Sequence, residues 1–140
     1  MNLEYGKVHE HSFYSTVLEE EFPIYVYLPY DYTPMGEYQV IYASDGKDYV
    51  QYGRIGRVVE DLVEEGEIDE TIVVGIPYKN VEHRWHLYHP NGERNDAYIT
   101  FLATELVPFI DENFPTVTNR NGRGLIGDSL AATVSLMTLI

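Results

Sequence analysis

The sequence predicts an α/β fold, with a mixed, mostly parallel sheet and helices on both of its faces. Three observations predict it. Thr71 to Ile76 (Thr-Ile-Val-Val-Gly-Ile) is a continuous apolar run, as expected of a strand buried on both faces. Ile55, Val58, Val59, Leu62 and Val63 fall at i, i+3, i+4, i+7 and i+8, one apolar stripe on a helix. Beyond an initial hairpin, strand-like and helix-like segments alternate, and such connections place successive strands parallel.

Taken in order, residues 7–18 read as a strand and Glu19-Glu20-Glu21 as an acidic turn. Phe22 to Leu28 alternates well enough for a second strand, ended by Pro29. Tyr38 to Ala43 is a third, entering a loop at Ser44-Asp45-Gly46. The striped helix covers roughly 52–65, with Gly66 as its stop. After the apolar strand 71–76, residues 77–95 read as a long loop, because Pro77 and a Pro90-Asn91-Gly92 turn punctuate it. A second helix spans roughly 96–113, with Ile99, Leu102, Leu106 and Ile110 on one face and Pro108 as a source of a kink. Residues 123–127 form a short strand and Leu130 to Ile140 a third helix. The order is β-β-β-α-β-α-β-α, and 140 residues correspond to one domain.

Composition removes several classes of function. The chain has no cysteine, so disulfides, thiolate metal sites and cysteine catalysis are unavailable. A net charge of −14 repels phosphate backbones and anionic membrane surfaces, which argues against nucleic-acid and membrane partners and disfavours anionic substrates. Met1-Asn2-Leu3-Glu4-Tyr5 lacks the basic and apolar regions of a signal peptide, and no stretch approaches a membrane span, so a cytoplasmic location is expected. The thirteen tyrosines, Tyr25, Tyr27 and Tyr42 among them, read chiefly as half-buried sheet packing.

The sharpest local signal is Gly127-Asp128-Ser129-Leu130-Ala131, a G-x-S-x-A sequence between a strand and a helix. A sharp strand-to-helix turn of this kind thrusts one hydroxyl out where a base can reach it. The turn brings strand and helix close together, so small residues are needed around the serine, and Gly127 and Ala131 supply them. The backbone N–H of Leu130 is then one candidate oxyanion donor. The loop after the third strand, Asp45-Gly46-Lys47, offers another through Gly46 or Lys47, and Gly46 suits a backbone that must approach a ligand closely. The plainer alternative makes Ser129 an ordinary helix N-cap.

Two phosphate-loop patterns overlap this segment. Gly122 to Gly127 matches G-x-G-x-x-G, but a turn-like stretch precedes it where a dinucleotide site needs a strand. Gly122 to Ser129 matches a P-loop except that Asp128 stands in place of the lysine, where a carboxylate would repel phosphate. His83, His86 and His89 are spaced three apart, but in a loop they make no metal site, and no metal or other cofactor is implied. Asp45, Arg84, Trp85 and His86 are instead candidates to line a substrate entrance at the C-terminal edge of the sheet. His9 and His11 read as one face of a surface strand.

Five segments together carry a wider resemblance. They are Tyr27-Leu28-Pro29-Tyr30-Asp31-Tyr32; Val40-Ile41-Tyr42-Ala43-Ser44-Asp45-Gly46; Val74-Gly75-Ile76 with Arg84 downstream; Glu105-Leu106-Val107-Pro108-Phe109-Ile110-Asp111; and the serine motif. In order and spacing they resemble the putative-esterase family of α/β-hydrolases, which includes esterase D-like and enterochelin esterases. The resemblance covers nearly the whole chain and implies a serine carboxylester hydrolase acting on a small-molecule ester. Ser129 is then the nucleophile, with Leu130 and the Gly46-Lys47 backbone at the oxyanion hole.

Asp128 and Ala131 depart from the His and Gly more usual there. Family members also continue past this point with the strands that carry the triad acid and base. The chain therefore reads as the N-terminal portion, residues 1–140, of one α/β-hydrolase domain truncated after the elbow. On that reading the edge of the elbow strand and the apolar face at Leu136, Leu139 and Ile140 are covered by further sequence, a homo-oligomer or another contact. Two alternatives stay open: His86 as base with Asp45 as its acid, and a non-catalytic binding or interaction module.

Overall fold

A hairpin opens the chain in the computed structural model, which describes residues 7–51 and 54–139. Strands β1 (Val8–Ser15) and β2 (Glu20–Tyr27) pair antiparallel, Val8 opposite Tyr27 and Ser15 opposite Glu20. Then follow β3 (Gln39–Ser44), α1 (Gly46–Gln51), α2 (Ile55–Glu64), β4 (Thr71–Ile76), α3 (Val81–Tyr88) and α4 (Asn95–Phe101). A π-helical turn, Leu102–Leu106, joins α4 to α5 (Val107–Asn113). A 3₁₀ turn at Arg120–Gly122 leads into β5 (Arg123–Ile126) and α6 (Leu130–Leu139).

The five strands form one sheet in the order β1-β2-β4-β3-β5. β3, β4 and β5 are mutually parallel, β2 opposes β4, and β1 opposes β2. Only β2 runs against the rest, so the sheet is mixed and mostly parallel. All six residues of β4 are buried, as its unbroken apolar sequence requires. One face of the sheet packs against α3, α4, α5 and α6 through Tyr88, Tyr98, Phe101, Leu106, Ile110 and Val134. The other packs Tyr27 and Val73 against Ile55 and Val59 of α2. Each fully buried large apolar side chain contributes about 1.5–3 kcal/mol relative to exposure.

Tertiary contacts move several boundaries. The first strand stops at Ser15 rather than at 18, and Glu20 and Glu21 belong to β2. The Glu105 carboxylate, on the π turn, accepts from Ser15 Oγ (2.5 Å), Thr16 N–H (2.9 Å) and Val17 N–H (3.3 Å), which closes the turn early. The expected helix 52–65 has α2 as its body, and a separate short helix, α1, begins directly at Gly46 where a loop was expected. The expected start at residues 52 and 53 lies outside the described residues, as do the N-terminal residues 1–6 and Ile140. Gly66 ends α2 as expected. It adopts φ 75°, its N–H bonds Val63 O, and the Glu67 N–H reaches Leu62 O.

The largest correction is in the expected loop 77–95, which contains α3. Asn80 caps it, its side chain accepting from the His83 N–H at 2.8 Å, and His89 ends it in extended conformation just before Pro90. The prolines flank the helix and do not interrupt it. The kink expected from Pro108 takes the form of the π turn, in which the Val107 N–H reaches back five residues to Leu102 O. Pro108 has no N–H to give and its ring would crowd the Thr104 carbonyl, so the turn widens just ahead of it. His11, expected on a surface strand, turns inward against Phe114, with ring centroids 6.2 Å apart. Burial and the nearby His9 lower its pKa.

Candidate active site

The turn from β5 into α6 has the strained geometry that its sequence suggests. Ser129 adopts φ 57°, the left-handed region that costs a non-glycine residue about 1 kcal/mol. Its side chain is exposed, and its hydroxyl has no hydrogen-bond partner among the described residues. An ordinary N-cap is extended and its oxygen accepts from the first helical turn. Ser129 does neither, which disfavours the capping alternative. Gly127 is obligatory. A Cβ there would lie 2.4 Å from the carbonyl carbon and oxygen of Ala131 and 2.8 Å from Ala132 N. Ala131 is itself fully buried, so β5 and α6 leave room for nothing larger.

The first N–H groups of α6 divide into engaged and free. Ala131 N–H bonds Asp128 O, and Ala132 and Thr133 bond Ser129 O, whereas the Leu130 N–H has no acceptor among the described residues. The loop after β3 shows a similar division. Asp45 N–H bonds Tyr88 Oη at 2.9 Å. Asp48 and Tyr49 both bond Asp45 O. The N–H groups of Gly46 and Lys47 have no acceptor among the described residues. Gly46 serves packing here: a Cβ would sit 2.3 Å from Gly75 C and Ile76 N, so α1 starts directly against β4.

Asp45 is left-handed as well, at φ 61°, and it is buried. Arg84 of α3 grips its carboxylate with two parallel bonds, Nε to Oδ1 and NH2 to Oδ2, both 2.9 Å. The same NH2 donates to Asp128 O at 3.3 Å, within the serine motif. The guanidinium lies over the rings of Tyr78 and Tyr88, at 5.7 and 5.4 Å from their centroids. The hydrogen bonds that Arg84 donates to the Asp45 carboxylate raise its pKa above the ordinary value. Behind this pair, Ser44 Oγ lies 2.8 Å from Tyr98 Oη. Burial raises the pKa of Tyr88 and of Tyr98, so both stay neutral donors and acceptors.

A cleft of about 580 Å³ separates the two segments, with Asp45, Asp48 and Tyr49 on one side and Ile126, Gly127 and Asp128 on the other. Of the residues expected to line an entrance, Asp45 lines this cleft and Arg84 joins it through Asp45 and Asp128. Trp85 and His86 are drawn elsewhere. Trp85 stacks on His89 with centroids 4.5 Å apart, and His86 Nε2 faces Glu82 at 3.7 Å. With Asp45 gripped by Arg84, the alternative triad of His86 and Asp45 is not assembled. The three spaced histidines also diverge: His83 goes to Glu20 at 2.8 Å, and His89 Nδ1 accepts from Asn91 N–H. Among the described residues no group of three or more His, Asp or Glu side chains could hold a metal ion. No described helix is long and apolar enough to cross a membrane.

Sequence reasoning missed Tyr88, Tyr98 and Tyr49 at this site. The usable signal was Asn80, an N-cap residue one position ahead of Val81-Glu82, which marks the start of α3.

The sequence profile of the family described as "Putative esterase" matches residues 15–140. The chain belongs to this esterase family. Among its curated relatives, the uncharacterised protein YjcH of Bacillus subtilis strain 168 is 53% identical over 135 residues, covering 96% of this chain and 56% of that protein. YbbA of the same organism is 25% identical, covering 82% and 49%. The chain thus spans about half the length of the curated relatives it matches.

Solved structures share the fold. The BES protein from Bacillus cereus superposes with a TM-score of 0.79 at 22% identity, covering 99% of this chain and 58% of that one. A CE1 ferulic acid esterase from Anaeromyces mucronatus, solved in complex with ferulic acid, gives 0.77 at 25%, covering 97% and 53%. The enterobactin esterase FES from Shigella flexneri gives 0.81 at 17%, covering 93% and 32%. The chain therefore has the α/β-hydrolase fold, with its serine motif at the strand-to-helix turn after β5.

Proposed function

We propose that the protein is a serine carboxylester hydrolase that forms an acyl-enzyme at Ser129. The observation that carries this reading is the left-handed Ser129, its hydroxyl exposed and, among the described residues, without a partner at the tip of the elbow. Ser129 Oγ attacks the ester carbonyl carbon and gives its proton to a general base. The carbonyl electrons move onto oxygen, and the Leu130 N–H with that of Gly46 or Lys47 receives the oxyanion. The carbon–oxygen bond to the alcohol breaks as the base returns the proton to the leaving group. Water, deprotonated by the same base, then hydrolyses the acyl-serine and regenerates Ser129.

The base and its acid come, on this reading, from sequence outside these 140 residues. Two observations support that: the Asp45 carboxylate is held by Arg84 and so orients no imidazole, and the curated relatives are about twice as long. The same further sequence, or a second copy of the chain, covers the outer edge of β5 and the exposed Leu136 and Leu139 of α6. The test is Ser129→Ala in the intact protein, assayed on p-nitrophenyl acetate. Loss of at least ~10³-fold in kcat is expected for removal of a nucleophile. Unchanged hydrolysis would overturn the reading. In the isolated 140-residue chain a fluorophosphonate should label Ser129 only slowly, and fast labelling would show that the base is already present.

A further inference from the structure

We propose that Arg84 is a positioning residue that fixes the two halves of the oxyanion hole relative to one another. This rests on the serine esterase reading above and adds a role for a residue outside the nucleophile and the oxyanion donors. The two candidate donor segments belong to different parts of the chain. One follows Asp45 at the end of β3 and the other follows Ser129 at the end of β5, and these strands are neighbours in the sheet. Both segments begin at a residue in the left-handed region, Asp45 at φ 61° and Ser129 at φ 57°. Such a backbone holds its shape only where its surroundings over-determine it.

Arg84 touches both segments from a third element. It holds the Asp45 side chain through two bonds at 2.9 Å and the backbone of Asp128, next to Ser129, through a third at 3.3 Å. A guanidinium has the fixed fork needed to make all three at once, and an ammonium does not. Its own position is over-determined by the faces of Tyr78 and Tyr88. Tyr88 closes the loop of contacts, because its hydroxyl accepts from the Asp45 N–H. That bond engages the one loop N–H nearest the strand, while those of Gly46 and Lys47 have no acceptor among the described residues.

Arg84 also matters through charge. Asp45, Asp48 and Asp128 all line the cleft. A carboxylate beside a developing oxyanion opposes it, and burial strengthens that repulsion. Arg84 pairs the most buried of the three, so the loop that offers N–H donors does not also present an uncompensated negative charge. Loss of Arg84 therefore both loosens the spacing of the donors and uncovers Asp45.

The experiment compares Arg84→Gln, Arg84→Lys and Arg84→Ala with the unsubstituted intact protein and with Ser129→Ala. Hydrolysis of p-nitrophenyl acetate is expressed per serine titrated by a fluorophosphonate, so that unfolded molecules do not count. Arg84→Gln should lower kcat per titrated serine by ~10–100-fold with KM within about threefold, since misplacement by about an ångström costs on that order. Arg84→Lys should recover only part of the loss. Adding guanidinium at millimolar concentration to Arg84→Ala should raise its kcat, a rescue that a merely structural role would not give. If Arg84→Gln does not fold, the lysine variant decides by the same kcat comparison. An unchanged kcat per titrated serine, with Ser129→Ala inactive, would overturn the role of Arg84 and leave the esterase reading standing. An active Ser129→Ala would instead overturn the esterase reading itself.

Discussion

Replacing Gly127 with alanine tests the elbow without touching the serine. The added Cβ would sit 2.4 Å from Ala131 C and O, about 1 Å short of ordinary van der Waals contact. The obstructing atoms are backbone, so no side chain can swing aside, and α6 must move away from β5 by a comparable distance. Overpacking of this kind costs about 1–3 kcal/mol. For a domain of this size each kcal/mol is worth roughly 3–4 °C in Tm, so a fall of about 3–12 °C is expected. The Leu130 N–H moves with the helix, and a shift of about 1 Å in a catalytic group can cost on the order of 100-fold in rate.

Gly124→Ala is the matched control. It lies on the same strand, and its Cβ would meet only Ile41 Cγ1 at 3.8 Å, an ordinary contact. Melting followed by circular dichroism and p-nitrophenyl acetate hydrolysis should separate the two variants clearly. If Gly127→Ala melts and turns over like Gly124→Ala, the tight approach of β5 and α6 does not shape the site.

Other regions of the molecule give further expectations. Glu105→Ala removes the acceptor for Ser15 Oγ and for the Thr16 and Val17 N–H groups, and should cost about 1–3 kcal/mol, read as a lower Tm; an unchanged Tm would show that water replaces the clamp. Burial pushes the pKa of Glu20 up, but hydrogen bonds and charge from His83 and Lys79 outweigh it, and the net shift is downward. A carboxylate with a depressed folded pKa contributes stability above its ordinary range and loses it as pH falls through the folded value. Urea midpoints should therefore fall as the pH drops below the ordinary carboxylate range, less steeply in Glu20→Gln; parallel curves would rule Glu20 out. The open β5 edge, with Leu136 and Leu139 exposed beside it, should make the 140-residue chain associate, so light scattering should report a mass above 16.1 kDa; a monomer across concentrations would contradict this.

The sequence made some of this structure legible and hid the rest for physical reasons. β4 was legible because it is buried on both faces and so apolar throughout. α2 was legible because one face alone meets the sheet, which leaves a stripe. The elbow was legible because steric crowding permits only Gly127 and Ala131 around Ser129. α3 was not, because its sequence shows no apolar stripe. It is held by Asn80 at its cap and by pairs that span long stretches of chain, Arg84 with Asp45 across 39 residues and His83 with Glu20 across 63. No local pattern encodes those partners. α1 was missed for a related reason: Gly46 read as an approach to ligand, whereas its missing Cβ is used against Gly75. Ser129 was thus recognisable from local sterics, and the brace around it only from tertiary structure.

The most direct measurement on the central claim is adduct mapping in the intact protein. Treatment with a fluorophosphonate, digestion and mass spectrometry should find one modified residue, Ser129, with ester hydrolysis lost in proportion to labelling. Ser129→Ala should be neither labelled nor active. An adduct on another residue, or hydrolysis that survives complete labelling of Ser129, would contradict an acyl-enzyme at this elbow.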